Sequence, residues 1–180
     1  MNAIKNKCNY IDITEKMIKN KKSIGTVQEQ KYYLYNNKKY YVDNHNVVLD
    51  YSHKEKEVGK ILSTIIGEKV YLIPRINVPE GIKTPDYICK NEHWDLKIIK
   101  GKSNRTVEDS IKNCKEQAHN FILDISKVKI IRRKILNQVY NLFNSKTTNW
   151  LKKIIVIEDN KIILVLKKID RNPTGHDQSI

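Results

Sequence analysis

Cysteine is scarce in this chain, and its few cysteines form no recognisable pattern. Cys8, Cys89 and Cys114 are odd in number and include no CxxC spacing. Disulfide-stabilised domains usually carry paired cysteines, and structural zinc sites carry closely spaced ones. We therefore expect reduced thiols, with neither a disulfide framework nor a zinc site.

Long apolar segments are also absent. No run approaches the ~20 residues that a helix needs to cross a bilayer, and residues 1–22 are polar and rich in Lys and Asn. A secretory signal would carry an apolar segment there. We expect a soluble protein with no membrane partner, which would depend on another chain's signal if it is exported.

Acidic residues are few relative to basic ones. The 180 residues include 34 Lys and Arg but only 20 Asp and Glu, a formal net charge of +14 spread along the whole chain. Such a charge attracts polyanions and favours nucleic acid as a partner, although an AT-rich genome would also enrich lysine. The length fits one principal domain.

The apolar pattern predicts an α/β fold. Tyr- and Val-rich runs over residues 31–51 predict a small antiparallel meander, and helical spacing follows from the N-cap Ser52 to Gly67. Thr106 and Asp109 resemble a capping box, which opens a helix predicted to reach about residue 120. The other predictions are helices at 13–18 and 130–143, strands at 70–74, 87–90, 94–99 and 121–125, and a hairpin of strands 151–157 and 162–168 turning at Asp159-Asn160.

These elements predict a mixed β-sheet flanked by helices. We expect three segments: an N-terminal β-rich appendage over residues 1–50, the main domain over 51–170 and a polar tail over 171–180. The sequence contains no internal repeat.

Two aspartates and a lysine define the strongest candidate site. Asp95 and Lys97 lie two apart in a predicted strand and so share one face, while Trp94 and Leu96 point to the other face. We expect the apolar face to point inward and the charged face outward. The segment Thr84-Pro85-Asp86 leads into the preceding strand.

The hairpin register brings these groups together. A two-residue turn at Asn91-Glu92 would place Asp86 opposite Lys97 and Ile88 opposite Asp95. Diagonal neighbours lie roughly 7–8 Å apart, so both carboxylates could reach one divalent ion, whereas a one-residue slip would separate them. Mg²⁺ or Mn²⁺ could activate water and offset phosphate charge, with Lys97 assisting.

A third carboxylate could come from the preceding helix, where Glu55 and Glu57 compete. At ~100° per residue, Glu55 lies nearer the apolar stripe of that helix and is the preferred metal ligand. Either residue could instead be an exposed acid that complements the helix dipole.

With these residues, the chain resembles the PD-(D/E)xK nuclease superfamily, and within it the C-terminal toxin domains of CdiA-type contact-dependent growth inhibition proteins. Similar domains are also fused to phage head-morphogenesis proteins. The likeness spans residues 50–168 and is carried by four stretches: KEKEVGKILS, LIPRINVPEGIKTPDY, WDLKIIKG and QAHNFILDIS.

The resemblance implies a restriction-endonuclease-like core and a divalent metal. It assigns Asp86 and Asp95 as metal ligands, Lys97 as the motif lysine, and Glu55 or Glu57 as the helix acid. It also implies a toxin that acts in the bacterial cytoplasm after delivery within a larger secreted or phage-linked protein, and a cognate immunity protein. Several such domains are tRNases, which favours RNA, and tRNA in particular, over DNA.

Two alternatives remain at this point: a phage or restriction-type DNA endonuclease with the same site, and a non-catalytic nucleic-acid-binding phage module. Tyr-rich residues 32–51 could stack on bases, although strand core is the preferred interpretation. The candidate substrate-binding residues follow the motif: Lys100, Arg105, Lys112, Lys115 and Gln117.

Overall fold

A mixed sheet of eight strands forms the centre of the computed structural model, which describes residues 9–19 and 25–169. Within these described residues, four α-helices and a short 3-10 turn at Lys146–Thr148 accompany the strands. In chain order the elements are β1 Tyr10–Asp12, α1 Thr14–Lys19, β2 Val27–Glu29, β3 Tyr32–Tyr35, β4 Lys38–Tyr41, β5 Val47–Val48, α2 His53–Ile66, β6 Val70–Leu72, β7 Arg75–Ile76, β8 Tyr87–Cys89, β9 Glu92–Ile98, α3 Thr106–Ile111, β10 Asn120–Asp124, α4 Arg132–Leu142, β11 Lys153–Glu158 and β12 Lys161–Lys168.

The sheet order is β1-β12-β11-β10-β9-β8-β6-β2. Strands β9, β10 and β11 are parallel neighbours at its centre, and β6, β8 and β9 form an antiparallel meander beside them. The predicted mixed sheet flanked by helices is confirmed. Central parallel strands require cover on both faces, which explains why all five residues of β10 are buried.

Helix α2 begins and ends where its sequence predicts. The Ser52 hydroxyl accepts a hydrogen bond from the Glu55 backbone N–H, and the Glu55 carboxylate accepts one from the Ser52 N–H, which completes a capping box. Gly67 ends the helix in the left-handed conformation, with φ of 69°. The buried residues Val58 and Leu62 pack this helix on the sheet.

Each face of the sheet has its own apolar core. On the face covered by α2, Trp94 packs with Ile122 and Ile155. On the opposite face, α3 and α4 cover Phe121 and Leu123. A third, smaller cluster lies where the β3–β4 hairpin meets the sheet, and its buried members are Tyr33, Val47, Ile73 and Ile76.

Several local predictions are wrong. The predicted meander over 31–51 holds only for β3 and β4, because β5 pairs with β7, a strand that was not predicted. Helix α3 ends at Ile111, and residues 112–119 form turns in place of the predicted helix. Arg105 occupies its N-cap position, and its side chain makes no capping hydrogen bond, so the predicted capping box is also wrong.

The N-terminal residues join the main sheet. β1 pairs with β12 at one edge, and β2 pairs with β6 at the other. These strands therefore belong to the hydrogen-bonded layer that carries the main domain, and the boundary at residue 50 stays a prediction. The predicted tail over 171–180 lies outside the described residues. Within residues 9–19 and 25–169, no helix is long and apolar enough to cross a membrane.

Candidate active site

The hairpin of β8 and β9 brings the two aspartates side by side. Its turn lies at Lys90-Asn91, where both residues have positive φ, and Tyr87 pairs with Trp94. The predicted turn at Asn91-Glu92 is therefore wrong by one residue. Continued by one pair, the observed register places Asp86 opposite Asp95, and not opposite Lys97. The shift moves the pairing by two positions, so the shared face is preserved.

Asp86 immediately precedes β8, and its side chain accepts a hydrogen bond from a backbone N–H of β9. Its Oδ2 accepts a hydrogen bond of 2.6 Å from the Leu96 N–H, which lies beyond the Tyr87–Trp94 pair of the ladder. The carboxylate thus replaces a missing strand partner. This contact fixes Asp86 against β9, directly beside Asp95.

Asp95 and Lys97 form a buried ion pair. Lys97 Nζ lies 2.5 Å from Asp95 Oδ2, and the two side chains are 24% and 1% exposed. The expectation that the charged face of β9 points outward is therefore wrong for Asp95, which lies beside the buried Phe121 of β10 and beneath Gln117. By contrast, Ile98 on the other face is 38% exposed.

Gln117 links the two strands of the site. Its Nε2 donates hydrogen bonds to Asp95 Oδ1 at 2.6 Å and to the Thr84 backbone carbonyl at 2.8 Å. The side chain comes from the turn region after α3, so the early end of that helix places the amide at the site. Gln117 was predicted to bind substrate, and the structure gives it contacts with Asp95 and with the segment before Asp86.

Glu55 lines a small cavity beside Asp86, whereas Glu57 does not. A cavity of about 90 Å³ is lined by Glu55, Asp86 and Gln117 together with Thr84 and other residues. The Tyr87 hydroxyl donates to the Glu55 backbone carbonyl at 2.9 Å, which fixes the first turn of α2 against β8.

The carboxylates of the two helix glutamates have different partners. Glu55 Oε2 accepts hydrogen bonds from the Ser52 backbone N–H at 2.5 Å and from the Ser52 hydroxyl at 2.6 Å. Glu57 instead lies 3.7 Å from His53 one turn earlier on the helix, an ion pair only when that histidine is protonated.

Burial raises the pKa of both aspartates, and at Asp86 repulsion from the Asp95 carboxylate adds to it. Burial and then the Asp95 carboxylate raise the pKa of Asp86 to about 8, with a smaller contribution from Glu55. Burial also raises the pKa of Asp95, despite the opposing effect of Lys97. Burial alone would lower the pKa of Lys97, but the Asp95 carboxylate outweighs it and the pKa is raised. Ionising both aspartates together would therefore place more negative charge in the site than Lys97 neutralises, and Asp86 keeps its proton near neutral pH.

These residues fit a divalent cation that is completed by other ligands. Among residues 9–19 and 25–169, no three His, Cys, Asp or Glu side chains are grouped closely enough to hold a metal ion. Asp95 Oδ2, however, is buried without a hydrogen bond of good geometry, and Asp86 stands next to it. Mg²⁺ is commonly held by one or two carboxylates with water and substrate phosphate. Asp86 and Asp95 therefore fit an ion that also binds water and substrate phosphate better than an ion whose ligands all come from the protein.

The predicted basic residues are not gathered at the cavity. Arg105 pairs with Glu108, and Lys112 pairs with Asp109. Lys112 occupies the C-cap position of α3 and Lys115 lies in the following turns, so the two do not lie on one helix as the predicted helix to about residue 120 implied. The remaining predicted residue, Lys100, is exposed just after β9.

Arg75 and Asp50 complete the cavity wall and were not predicted as a pair. Arg75 donates to Asp50 Oδ2 at 3.1 Å, and both line the cavity. Strand β7 carries Arg75 and pairs with β5 close to Asp50. A pairing between short, distant segments leaves no local sequence pattern that could have identified it.

Comparison with known proteins points to one family. The family model for the contact-dependent growth inhibition CdiA C-terminal domain matches residues 83–163, just under half of the chain. This segment contains Asp86, Asp95, Lys97 and Gln117, and it leaves out Glu55. This part of the chain is thus similar to a toxin domain.

A solved structure, the CdiA-CT/CdiI toxin and immunity complex from Burkholderia pseudomallei, matches with a TM-score of 0.43 and 18% sequence identity. The match covers 78% of this chain and 98% of that chain. No curated protein matches the sequence.

Proposed function

We propose that this chain is a metal-dependent endonuclease toxin of the PD-(D/E)xK type that cleaves RNA, with tRNA as the favoured substrate. The observation that carries the proposal is the cluster of Asp86, Asp95 and Lys97 on the β8–β9 hairpin, joined by Gln117. Two adjacent buried carboxylates with raised pKa values are costly to keep in a fold, and they are typical of functional sites.

Each residue of the cluster has a task in phosphodiester cleavage. Asp86 and Asp95 would hold Mg²⁺ or Mn²⁺, with Glu55 as the additional acid at the cavity. The bound ion would supply charge neutralisation at the scissile phosphate and an activated water. Lys97 stays protonated because its pKa is raised, so it serves as a cation that orients the water or stabilises developing negative charge. Gln117 holds Asp95 in orientation.

Charge and similarity together support RNA as the substrate. The net charge of +14 favours a polyanionic partner. The match of residues 83–163 to the CdiA C-terminal family supports a toxin activity, and resemblance to tRNA-cleaving members of that group favours tRNA. The same resemblance implies delivery within a larger protein, action in the bacterial cytoplasm and a cognate immunity protein.

A digestion experiment tests the function. Purified protein is incubated with total cellular RNA and separately with plasmid DNA, in Mg²⁺ and then with a chelator. We expect discrete tRNA-sized fragments that appear only with the metal. Asp86→Asn, Asp95→Asn and Lys97→Met should each lower the cleavage rate by at least about 10²-fold, because each removes a charge at the reacting phosphate.

Asp159→Asn is the matched control. Asp159 is exposed in the β11–β12 turn at φ of 48°, a conformation that asparagine tolerates, so this variant should cleave like the parent. Cleavage of plasmid without cleavage of RNA would overturn the proposal that RNA is the substrate and would favour a DNA endonuclease. RNA binding without any cleavage would overturn the enzymatic proposal and favour a binding module.

A further inference from the structure

A second and larger cavity opens on the sheet face that carries Asp95. It is a cleft of about 540 Å³ between the β3–β4 hairpin and the sheet. Tyr71, Ile88 and His93 line it from the sheet, and Tyr32, Tyr33 and Lys39 line it from the hairpin. We call this cavity the tyrosine cleft. Its volume lies within the range of small-molecule sites.

The sheet side of the tyrosine cleft is a single row across three strands. Tyr71 of β6 pairs with Ile88 of β8, and Ile88 pairs with His93 of β9. Directly opposed residues in antiparallel strands share a face. The three side chains therefore form one continuous surface, and the His93 ring lies 6.2 Å from the ring of Tyr33 on the hairpin.

The acidic residues occupy the next row on the same face. The Ile73 N–H donates to the Asp86 carbonyl, and the hairpin register continued by one pair sets Asp86 opposite Asp95. Ile73, Asp86 and Asp95 thus lie two residues along their strands from the row of Tyr71, Ile88 and His93. Two residues of strand span ~7 Å. Ile73 lines both the tyrosine cleft and the cavity of Glu55, Asp86 and Gln117, so the two cavities are adjacent and share a wall.

We propose that the tyrosine cleft binds an unpaired nucleobase of the substrate strand, adjacent to the phosphate held at Asp86 and Asp95. This inference rests on the proposed nuclease function. Aromatic rings interleaved with basic residues are the usual means of holding single-stranded nucleic acid, because every base presents a face for stacking.

The basic component of the tyrosine cleft is Lys39, which lies 4.9 Å from the centroid of the Tyr32 ring and can meet a phosphate at the rim. Bases within a duplex are already paired and stacked, so they could not enter the cleft without being extruded. The substrate must therefore expose a loop, bulge or single-stranded end at the cleavage position. This requirement selects a structural feature and not a base sequence.

Binding measurements in a cleavage-deficient background test the proposal independently of catalysis. The Asp95→Asn protein is titrated with a short fluorescein-labelled single-stranded RNA, and with versions in which one nucleotide at a time is abasic. We expect one abasic position to weaken binding by about tenfold. The same position should have no effect when the protein also carries Tyr71→Leu, because the stacking partner is then already lost.

Matched substitutions separate stacking from general destabilisation. Tyr71→Phe keeps the ring and should bind like the Asp95→Asn parent, while Tyr32→Leu provides a second test from the hairpin side. Tyr35→Leu removes an exposed tyrosine of the same hairpin that does not line the cleft, and it should leave binding unchanged.

Two results would overturn the inference: no abasic position that weakens binding, or an equal abasic effect with and without Tyr71→Leu. Either could occur while the unsubstituted protein still cleaves RNA, which would leave the nuclease proposal standing. Conversely, if the abasic and Tyr71→Leu effects are as expected but the unsubstituted protein cuts no nucleic acid, the nuclease proposal alone would be overturned.

Discussion

Gln117 offers the sharpest test of how the site is held together. Its amide donates to Asp95 Oδ1 at 2.6 Å and to the Thr84 carbonyl at 2.8 Å. Gln117→Ala removes both hydrogen bonds, so Asp95 loses the contact that fixes its orientation. The segment leading to Asp86 loses its link to the turns after α3.

Two separate effects of this substitution can be estimated. A hydrogen bond to a charged group contributes about 1.5–3 kcal/mol and a neutral one about 1 kcal/mol, so the free energy of unfolding should fall by roughly 2–4 kcal/mol. For a chain of this size, the melting temperature should drop by roughly 5–15 °C. Substitution of a residue that orients a metal ligand typically lowers metal affinity or activity by about 10–100-fold.

The assay is the initial rate of RNA cleavage as a function of Mg²⁺ concentration, with thermal melting measured in parallel. Gln138→Ala is the matched control, because Gln138 also makes two hydrogen bonds, with the Val107 N–H and the Ser103 carbonyl, at a distance from the site. It should lower stability and leave the Mg²⁺ requirement unchanged. An unchanged Mg²⁺ requirement in Gln117→Ala would refute the positioning role.

Three further predictions concern the site and its support. Lys97→Met should abolish cleavage while the protein still binds Mn²⁺, as calorimetry can check, since the lysine acts on the phosphate. Glu55→Gln keeps the capping box but removes a charge from the cavity, so it should raise the Mg²⁺ requirement, whereas Glu57→Gln should not. Burial alone would raise the pKa of Asp124, but hydrogen bonds from Lys54 and Ser126 outweigh it and lower the pKa. The stabilisation is therefore present above the ordinary carboxyl pKa and lost as pH falls below it, and chemical unfolding at decreasing pH should show a smaller loss of stability in Asp124→Asn.

Local chemistry made part of the fold predictable. Ser52 and Gly67 mark the ends of α2 because capping depends on residues within the same turn. Asp159 and Asn160 mark the β11–β12 turn because both positions require positive φ. The mixed sheet followed from the order of such elements.

The hairpin register was less accessible from sequence. Lysine rarely adopts positive φ, so Lys90 at φ of 50° was not expected to be a turn residue. The resulting error of one turn position changed which residues oppose Asp86. It did not change the face on which Asp86 and Asp95 lie, because a shift of two in the pairing keeps the alternation of side chains.

Burial of Asp95 and the contacts of Gln117 depend on tertiary packing. Alternation along β9 distinguishes two faces, but it cannot say that both faces are covered. Cys114 and Ala118 lie at helical spacing after Ile111, yet residues 112–119 form turns that place Gln117 at the site. The pairing of distant segments, including β5 with β7, leaves no periodic pattern in the sequence.

The central claim is that Asp86 and Asp95 hold a divalent ion together with substrate phosphate, and calorimetry tests it most directly. Mn²⁺ is titrated into the protein bound to a cleavage-resistant phosphorothioate RNA. We predict saturable Mn²⁺ binding in the parent and in Asp159→Asn, weakened by at least about tenfold in Asp86→Asn and Asp95→Asn. Equal Mn²⁺ affinity in all four proteins, or no Mn²⁺ binding in the parent complex, would contradict the account.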